Sequence, residues 1–171
     1  MTVLRIAALG AGVFAALSLL STFALPETAR VVRTRTIAAP PATLYALAVS
    51  NRGYQRFNPF ASTDPDLAID LFGPDAGVGS GFHFAGREGS GTQTVARAIE
   101  DRQVTYAIDM GVFGQPTQTI HLEPSGEGTR VRWEMESPAG YNPVRRLFNL
   151  VVPRMMGPTL DRGLANLAAA V

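Results

Sequence analysis

The chain has no cysteine and no lysine; all 15 of its basic residues are arginine. Without thiols there are no disulfides, no thiolate nucleophile and no cysteine-ligated metal. Histidine is scarce, with His83 and His121 alone, and neither belongs to a HExxH spacing, so no metal site is expected. A GxSxG nucleophile elbow is missing too. Nor is there an excess of charge of one sign. At a net charge of +1, with scattered arginines, nothing attracts nucleic acid over long range, and no nucleic-acid partner is expected.

What is present is 46% apolar residues, enough for one packed core over residues 30 to 171. Ahead of it, Ile6 to Leu25 runs for 20 residues without a charge, between Arg5 and Pro26-Glu27. At about 1.5 Å per residue such a stretch just crosses a hydrocarbon layer of about 30 Å. Its full length favours a single-pass transmembrane anchor, of either orientation. A signal peptide cut after Thr22 and Ala24, leaving an exported protein, is the alternative. The expected division is therefore an anchor or signal segment over 1–28 and a folded domain over 29–171.

The domain reads as strands between Gly- and Pro-rich turns. Ala29–Ala39 alternates, with Val32, Thr34 and Thr36 opposite the arginines, and Pro40-Pro41 ends it. Short helices are expected over Thr43–Val49 and from Asn51 to Phe60, the second bearing Tyr54, Phe57 and Phe60. Strands are then expected over 67–72, 82–85, 92–100, 104–111, 117–123 and 129–136. The GPDAGVGSG run lacks the following helix of a dinucleotide loop and reads as a turn. Asn142 and Pro143 open a helical tail. Pro153, Gly157 and Pro158 predict a break near 153–157 and a main helix to about Ala169, with Met156, Leu160, Leu164, Leu167 and Val171 as its apolar stripe.

Strand, two short helices, six strands and a long C-terminal helix is the order of a helix-grip fold. With RTRTIAAPPATLYALAVS, FNPFASTDPD, GSGFHFAGREGSGTQTV, EPSGEGTRVRWEME and DRGLANLAAAV in sequence, the chain resembles the START/Bet v 1-like (SRPBCC) superfamily, polyketide cyclase/dehydrase-like branch. The resemblance implies an α+β fold in which a curved antiparallel sheet of about seven strands wraps the C-terminal helix. Relatives carry tryptophan where this chain has Phe57, Phe60 and Phe84, which implies a differently shaped pocket.

Strand parity selects the inward rows: Phe82 and Phe84; Gln93 and Val95; Val104, Tyr106, Ile108 and Met110; Gln118, Ile120 and Leu122; Val131, Trp133 and Met135. Met155, Met156 and Leu160 of the tail are expected to close over them. Inward Gln93, Tyr106 and Gln118 are polar groups of the kind that orient a ligand in an apolar cleft. Flexible methionines suit a pocket that adapts to its occupant. The expected ligand-binding set is thus Phe57, Phe60, Phe82, Phe84, Gln93, Tyr106, Met110, Gln118, Trp133, Met155, Met156 and Leu160, with no catalytic residue and no cofactor. Asp64 and Asp66 read as turn residues, and Arg145 and Arg146 as a solvated helix face or a contact for anionic head groups.

These features lead to a membrane-tethered protein that binds a small apolar, lipid-like or polyketide-like ligand between sheet and helix. A cyclase/dehydratase-type enzyme using Tyr106 or Arg97 is the alternative, and it requires an inward group among Arg97, Asp109, His83 and His121. A third reading is an envelope adaptor with a filled core. The oligomeric state is left open by the sequence.

Overall fold

Seven strands form one antiparallel sheet in the order β1-β7-β6-β5-β4-β3-β2. They are β1 (Thr28–Ile37), β2 (Ala68–Phe72), β3 (Gly81–Gly86), β4 (Gly89–Ile99), β5 (Gln103–Asp109), β6 (Thr117–Ser125) and β7 (Gly128–Pro138). From β2 to β7 the sheet is a meander, and β1 closes it by pairing with β7. Two short helices, α1 (Pro41–Ala48) and α2 (Asn51–Gln55), carry the chain from one edge strand to the other. After β7 come α3 (Pro143–Phe148) and α4 (Val152–Ala169). The computed structural model describes residues 24–87 and 89–171, so most of the stretch Ile6–Leu25, and with it the expected anchor, lies outside the described residues. No helix among the described residues is long and apolar enough to cross a membrane.

Local chemistry sets the helix ends. Pro41 occupies the first turn of α1, where a missing N–H costs nothing. The Ser50 hydroxyl accepts from Gly53 N at 3.2 Å to cap α2. A β-carbon at Gly53 would come 2.4 Å from the Leu47 carbonyl oxygen, so the close turn from α1 into α2 requires glycine there. Asn142 caps α3, accepting from Val144 N at 3.0 Å and Arg145 N at 3.1 Å. Leu160, Leu164 and Leu167 of α4 are fully buried against the sheet, each contributing roughly 1.5–3 kcal/mol over an exposed position. Val171, expected to extend this stripe, is exposed.

The break in the tail falls at residues 149–151, ahead of the position expected from its prolines. Pro153 sits within the first turn of α4 and disturbs nothing, while Pro158 lies inside a helix that continues through it. Gly157, just before it, lies under a β1 side chain: a β-carbon there would meet the Arg33 guanidinium at 2.2 Å. Arg33 then reaches Asp161 at 3.0 Å, clamping β1 to α4. The buried face of β1 is accordingly the odd-numbered one, with Ala29, Val31 and Ile37, and Val32 is turned outward. Alternation alone does not show that an arginine stem can cover a helix.

Candidate functional site

The space between the sheet and the helices is filled mainly by aromatic rings. Trp133, Tyr106, Phe57 and Leu160 are among its fully buried side chains, and Phe82 is buried beside them. At the centre stands Tyr54 of α2. Its ring centroid lies 4.7 Å from Phe57, 5.3 Å from Tyr106, 5.4 Å from Phe82 and 6.3 Å from Trp133. Such tilted and edge-on pairs add about 0.5–1.5 kcal/mol each beyond simple burial. Tyr54 was not among the residues expected from sequence. Its spacing of three residues from Phe57, just past the end of α2, was the available signal.

The inward polar groups divide in two. The Tyr106 hydroxyl donates to the Ala48 carbonyl oxygen at 2.6 Å, tying α1 to the sheet, and the Trp133 Nε1–H donates to Gln118 Oε1 at 3.0 Å. Tyr106 and Gln118 therefore serve the protein itself. Gln93 is different. It is 5% exposed, and among the described residues its Nε2 is the buried side-chain polar atom that meets no acceptor with hydrogen-bond geometry, although the amide lies near enough to the Tyr54 hydroxyl to act on it. Beside it is a cavity of about 10 Å³, lined by Tyr54, Phe82, Gln93, Val95, Tyr106, Ser80 and Asn51 among others. That space holds about one water molecule.

The two inner tyrosines are the titratable groups of this interior. Burial pushes the Tyr54 hydroxyl well up from its ordinary value, and the Gln93 amide beside it acts in the opposite sense. Burial also pushes up Tyr106, reinforced by Tyr54. Both rings are therefore neutral phenols over the physiological range.

Of the remaining expected site residues, Phe84 and Met156 are half-buried and pack on the core, and Phe60 is half-buried beyond α2. Met110 is half-buried where the chain leaves β5, with its methyl close to Gly89. Met155 does not close over the sheet: it is 57% exposed on the opposite side of α4 from Leu160 and Leu164. Arg97 is also turned out. A register shift between Val95 and Arg97 inserts one extra residue, so that Val95 is buried, Arg97 exposed and Ala98 packed on the core. Unbroken alternation would have placed Arg97 inside, and a bulge leaves no mark in the pattern of residue types. His83 and Asp109 are exposed.

His121 is half-buried and lines an open depression of about 610 Å³ on the other side of β6, with Pro40, Pro41, Ile99, Arg102 and Glu123. Burial lowers the His121 pKa and the nearby Arg132 lowers it further. This depression lies away from the aromatic interior, and Gln93, the buried group without a partner, is not on its wall. Asp64 serves a turn, as expected, accepting from Asp66 N at 3.1 Å and Arg87 N at 2.6 Å. Arg146 is buried rather than solvated, and donates to Gly140 O at 2.7 Å.

Comparisons with known proteins agree with this architecture. Solved structures with the same fold include a protein from Chromobacterium violaceum, with a TM-score of 0.61 and 19% identity over 86% of this chain and 98% of that one. Truncated norcoclaurine synthase from Thalictrum flavum matches with a TM-score of 0.63 and 14% identity over 82% and 91%. Major latex-like protein 151 from Panax ginseng matches with a TM-score of 0.58 and 14% identity over 84% and 97%. No curated protein matches the sequence. The model of the family described as polyketide cyclase / dehydrase and lipid transport matches residues 28–171, the whole sheet with helices α1 to α4, and the chain belongs to that family.

Proposed function

We propose that the protein binds a small, mainly apolar ligand bearing one hydrogen-bond acceptor, in the interior between sheet and helices. The observation that carries this reading is the Gln93 side chain. A buried amide nitrogen without a partner costs about 1–3 kcal/mol. An apolar side chain at 93 would avoid that cost; the cavity beside it is lined by Tyr54, Phe82, Val95 and Tyr106 together with the polar Ser50, Asn51 and Ser80. A ligand carbonyl or hydroxyl oxygen next to Nε2 completes the site, and Tyr54 and Phe82 supply its apolar walls. The family description, which joins cyclases, dehydrases and lipid transport, supports an apolar substrate class.

The closed interior sets a condition on binding. A cavity of about 10 Å³ admits no ligand unless a wall moves. The wall best able to move is α2, five residues long, which carries Tyr54 and is followed by Phe57 and Phe60. A ligand that buries about 300 Å² of apolar surface gains roughly 7 kcal/mol, enough to displace such a segment.

Two other readings meet the same geometry. A cyclase-type mechanism lacks the inward group it requires, because Arg97, Asp109 and His83 are exposed, His121 lines the outer depression and the Tyr106 hydroxyl is taken by Ala48. In a filled-core adaptor one water in the adjoining cavity of about 10 Å³ would serve Gln93, and uptake of a ligand separates the two readings. Tethering through Ile6–Leu25 completes the proposal, since 20 uncharged residues suit an anchor. Native mass spectrometry of the full-length protein, released from detergent micelles, tests the ligand. The expected result is a co-purified small molecule or saturable uptake of a long-chain methyl ketone. A well-folded protein that takes up neither would overturn the reading.

A further inference from the structure

The helix α3 is inside out. Its polar residue Arg146 is buried at 6% exposure, and Asn149 just beyond it at 5%, while Val144, Leu147 and Phe148 are 76%, 56% and 52% exposed. In a soluble amphipathic helix the distribution is the reverse. The exposed apolar surface does not stop at the helix. Arg145 donates to the Val112 carbonyl oxygen at 2.7 Å, drawing the β5–β6 connection alongside, and there Val112 and Phe113 are 83% and 76% exposed. Past the joint, Met155 is exposed as well, at 57%. Scattered exposed apolar residues are ordinary; a connected run from two separate segments is not.

The buried polar residues of α3 show what lies next to this face. Arg146 reaches the Leu25 carbonyl oxygen at 3.4 Å, and the Asn149 amide reaches those of Pro26 and Glu27 at 3.3 and 3.4 Å. Leu25, the last residue of the uncharged stretch, and the two residues after it thus lie against α3. Strand register places the same features at one end of the sheet: Thr28 pairs with Pro138, and Thr117, at the end of the β5–β6 connection, pairs with Glu136. The charge pattern fits as well. From Ser137 to Leu160 there are three arginines and no acidic residue, and Met110 to Pro116 is uncharged, with Asp109 and Glu136 as the exposed acids that border these segments.

We propose that this face, Val112 and Phe113 with Val144, Leu147, Phe148 and Met155, seats in the interfacial layer of an anionic lipid bilayer. Apolar tips enter the head-group and acyl boundary, and the exposed Arg154 meets lipid phosphate. The domain then sits upright on the membrane, with the β6–β7 turn pointing away. This inference rests on the tethering reading above and is independent of the interior ligand. A bilayer fits the face better than the apolar segment itself, because basic residues are interspersed among the apolar ones.

The absence of cysteine makes the test direct. Single cysteines placed by Phe113→Cys, Phe148→Cys and, at the opposite end of β6, Glu127→Cys carry a nitroxide in the full-length chain. The chain is reconstituted into vesicles of phosphatidylcholine and phosphatidylglycerol. At 113 and 148 the ratio of oxygen to nickel-chelate accessibility should be several-fold higher than at 127. Protein that floats with the vesicles while 113 and 148 match 127 overturns the docked face and leaves the tether standing. Shielding of 113 and 148 from both reagents also overturns it, since the face is then covered by Ile6–Leu25 or by a second copy. A chain that fails to float overturns tether and docking together and leaves the interior site untouched.

Discussion

The Trp133 indole and the α4 backbone at Gly163 meet so closely that a β-carbon at 163 would lie 2.4 Å from Cζ3. The long helix lies this near the sheet because Gly163 presents no side chain to the ring. Gly163→Ala gains up to about 1 kcal/mol of helix propensity, but overpacking against a rigid ring in a filled core costs about 1–3 kcal/mol. The variant should be less stable by about 1 kcal/mol. In thermal unfolding followed by circular dichroism, the midpoint should fall by about 2–4 °C.

The same indole depends on Gln118, whose Oε1 accepts its N–H. Gln118→Leu leaves that donor buried without a partner and should destabilise the fold by about 1–3 kcal/mol. The Trp133 emission spectrum should change with it, because the indole loses its hydrogen bond. Denaturant unfolding at unchanged m-value reads the first effect and fluorescence the second.

Gln93 should behave in the opposite way. Gln93→Leu removes an unpartnered buried amide without opening a cavity, and should raise stability by about 1 kcal/mol. It should also weaken binding of a ketone-bearing ligand about tenfold, the loss of one hydrogen bond worth about 1.4 kcal/mol. A gain in stability with a loss of binding marks a group kept for function.

Acid should loosen the β1–β7 edge. Glu134 accepts from Arg30 at 2.5 Å and Arg132 at 2.6 Å, and the Arg30 hydrogen bond is the main cause holding its pKa below the ordinary carboxylate value, with His121 adding to the effect. The unfolded chain therefore binds this proton at higher pH than the folded one. The stabilisation is present above the unfolded pKa and is lost as pH falls through the folded one. Wild-type protein should lose more of its thermal midpoint between neutral pH and the acid side of that window than Glu134→Gln does.

Much of the fold was legible in residue order. Period-two rows in β5, β6 and β7 placed Tyr106, Ile120 and Trp133 correctly, because alternation needs only an unbroken pleat. It failed where the pleat is broken, at the Val95–Arg97 bulge, and in β1 it left open which face is buried, because there the Arg33 stem covers the helix. The tail was harder. Pro153 marks a helix start rather than a break, and the burial of Arg146 and Asn149 arises from the carbonyls of Leu25, Pro26 and Glu27, more than 100 residues away in sequence. Tyr54 reads as an aromatic of the second short helix but falls outside the expected site, because a five-residue helix has too little periodicity to show a face.

Trp133 is the single tryptophan of the chain and stands behind the wall of the proposed site, 5.8 Å from Phe57 and 6.3 Å from Tyr54, whose ring lines it. Its fluorescence, followed as a long-chain methyl ketone is titrated into wild-type protein and Gln93→Leu, reports directly on the interior. A saturable one-to-one change in the wild type, shifted to about tenfold higher ketone concentration in Gln93→Leu, is the expected result. No saturable change in a folded wild type, or identical curves for the two proteins, would contradict a ligand site built on Gln93.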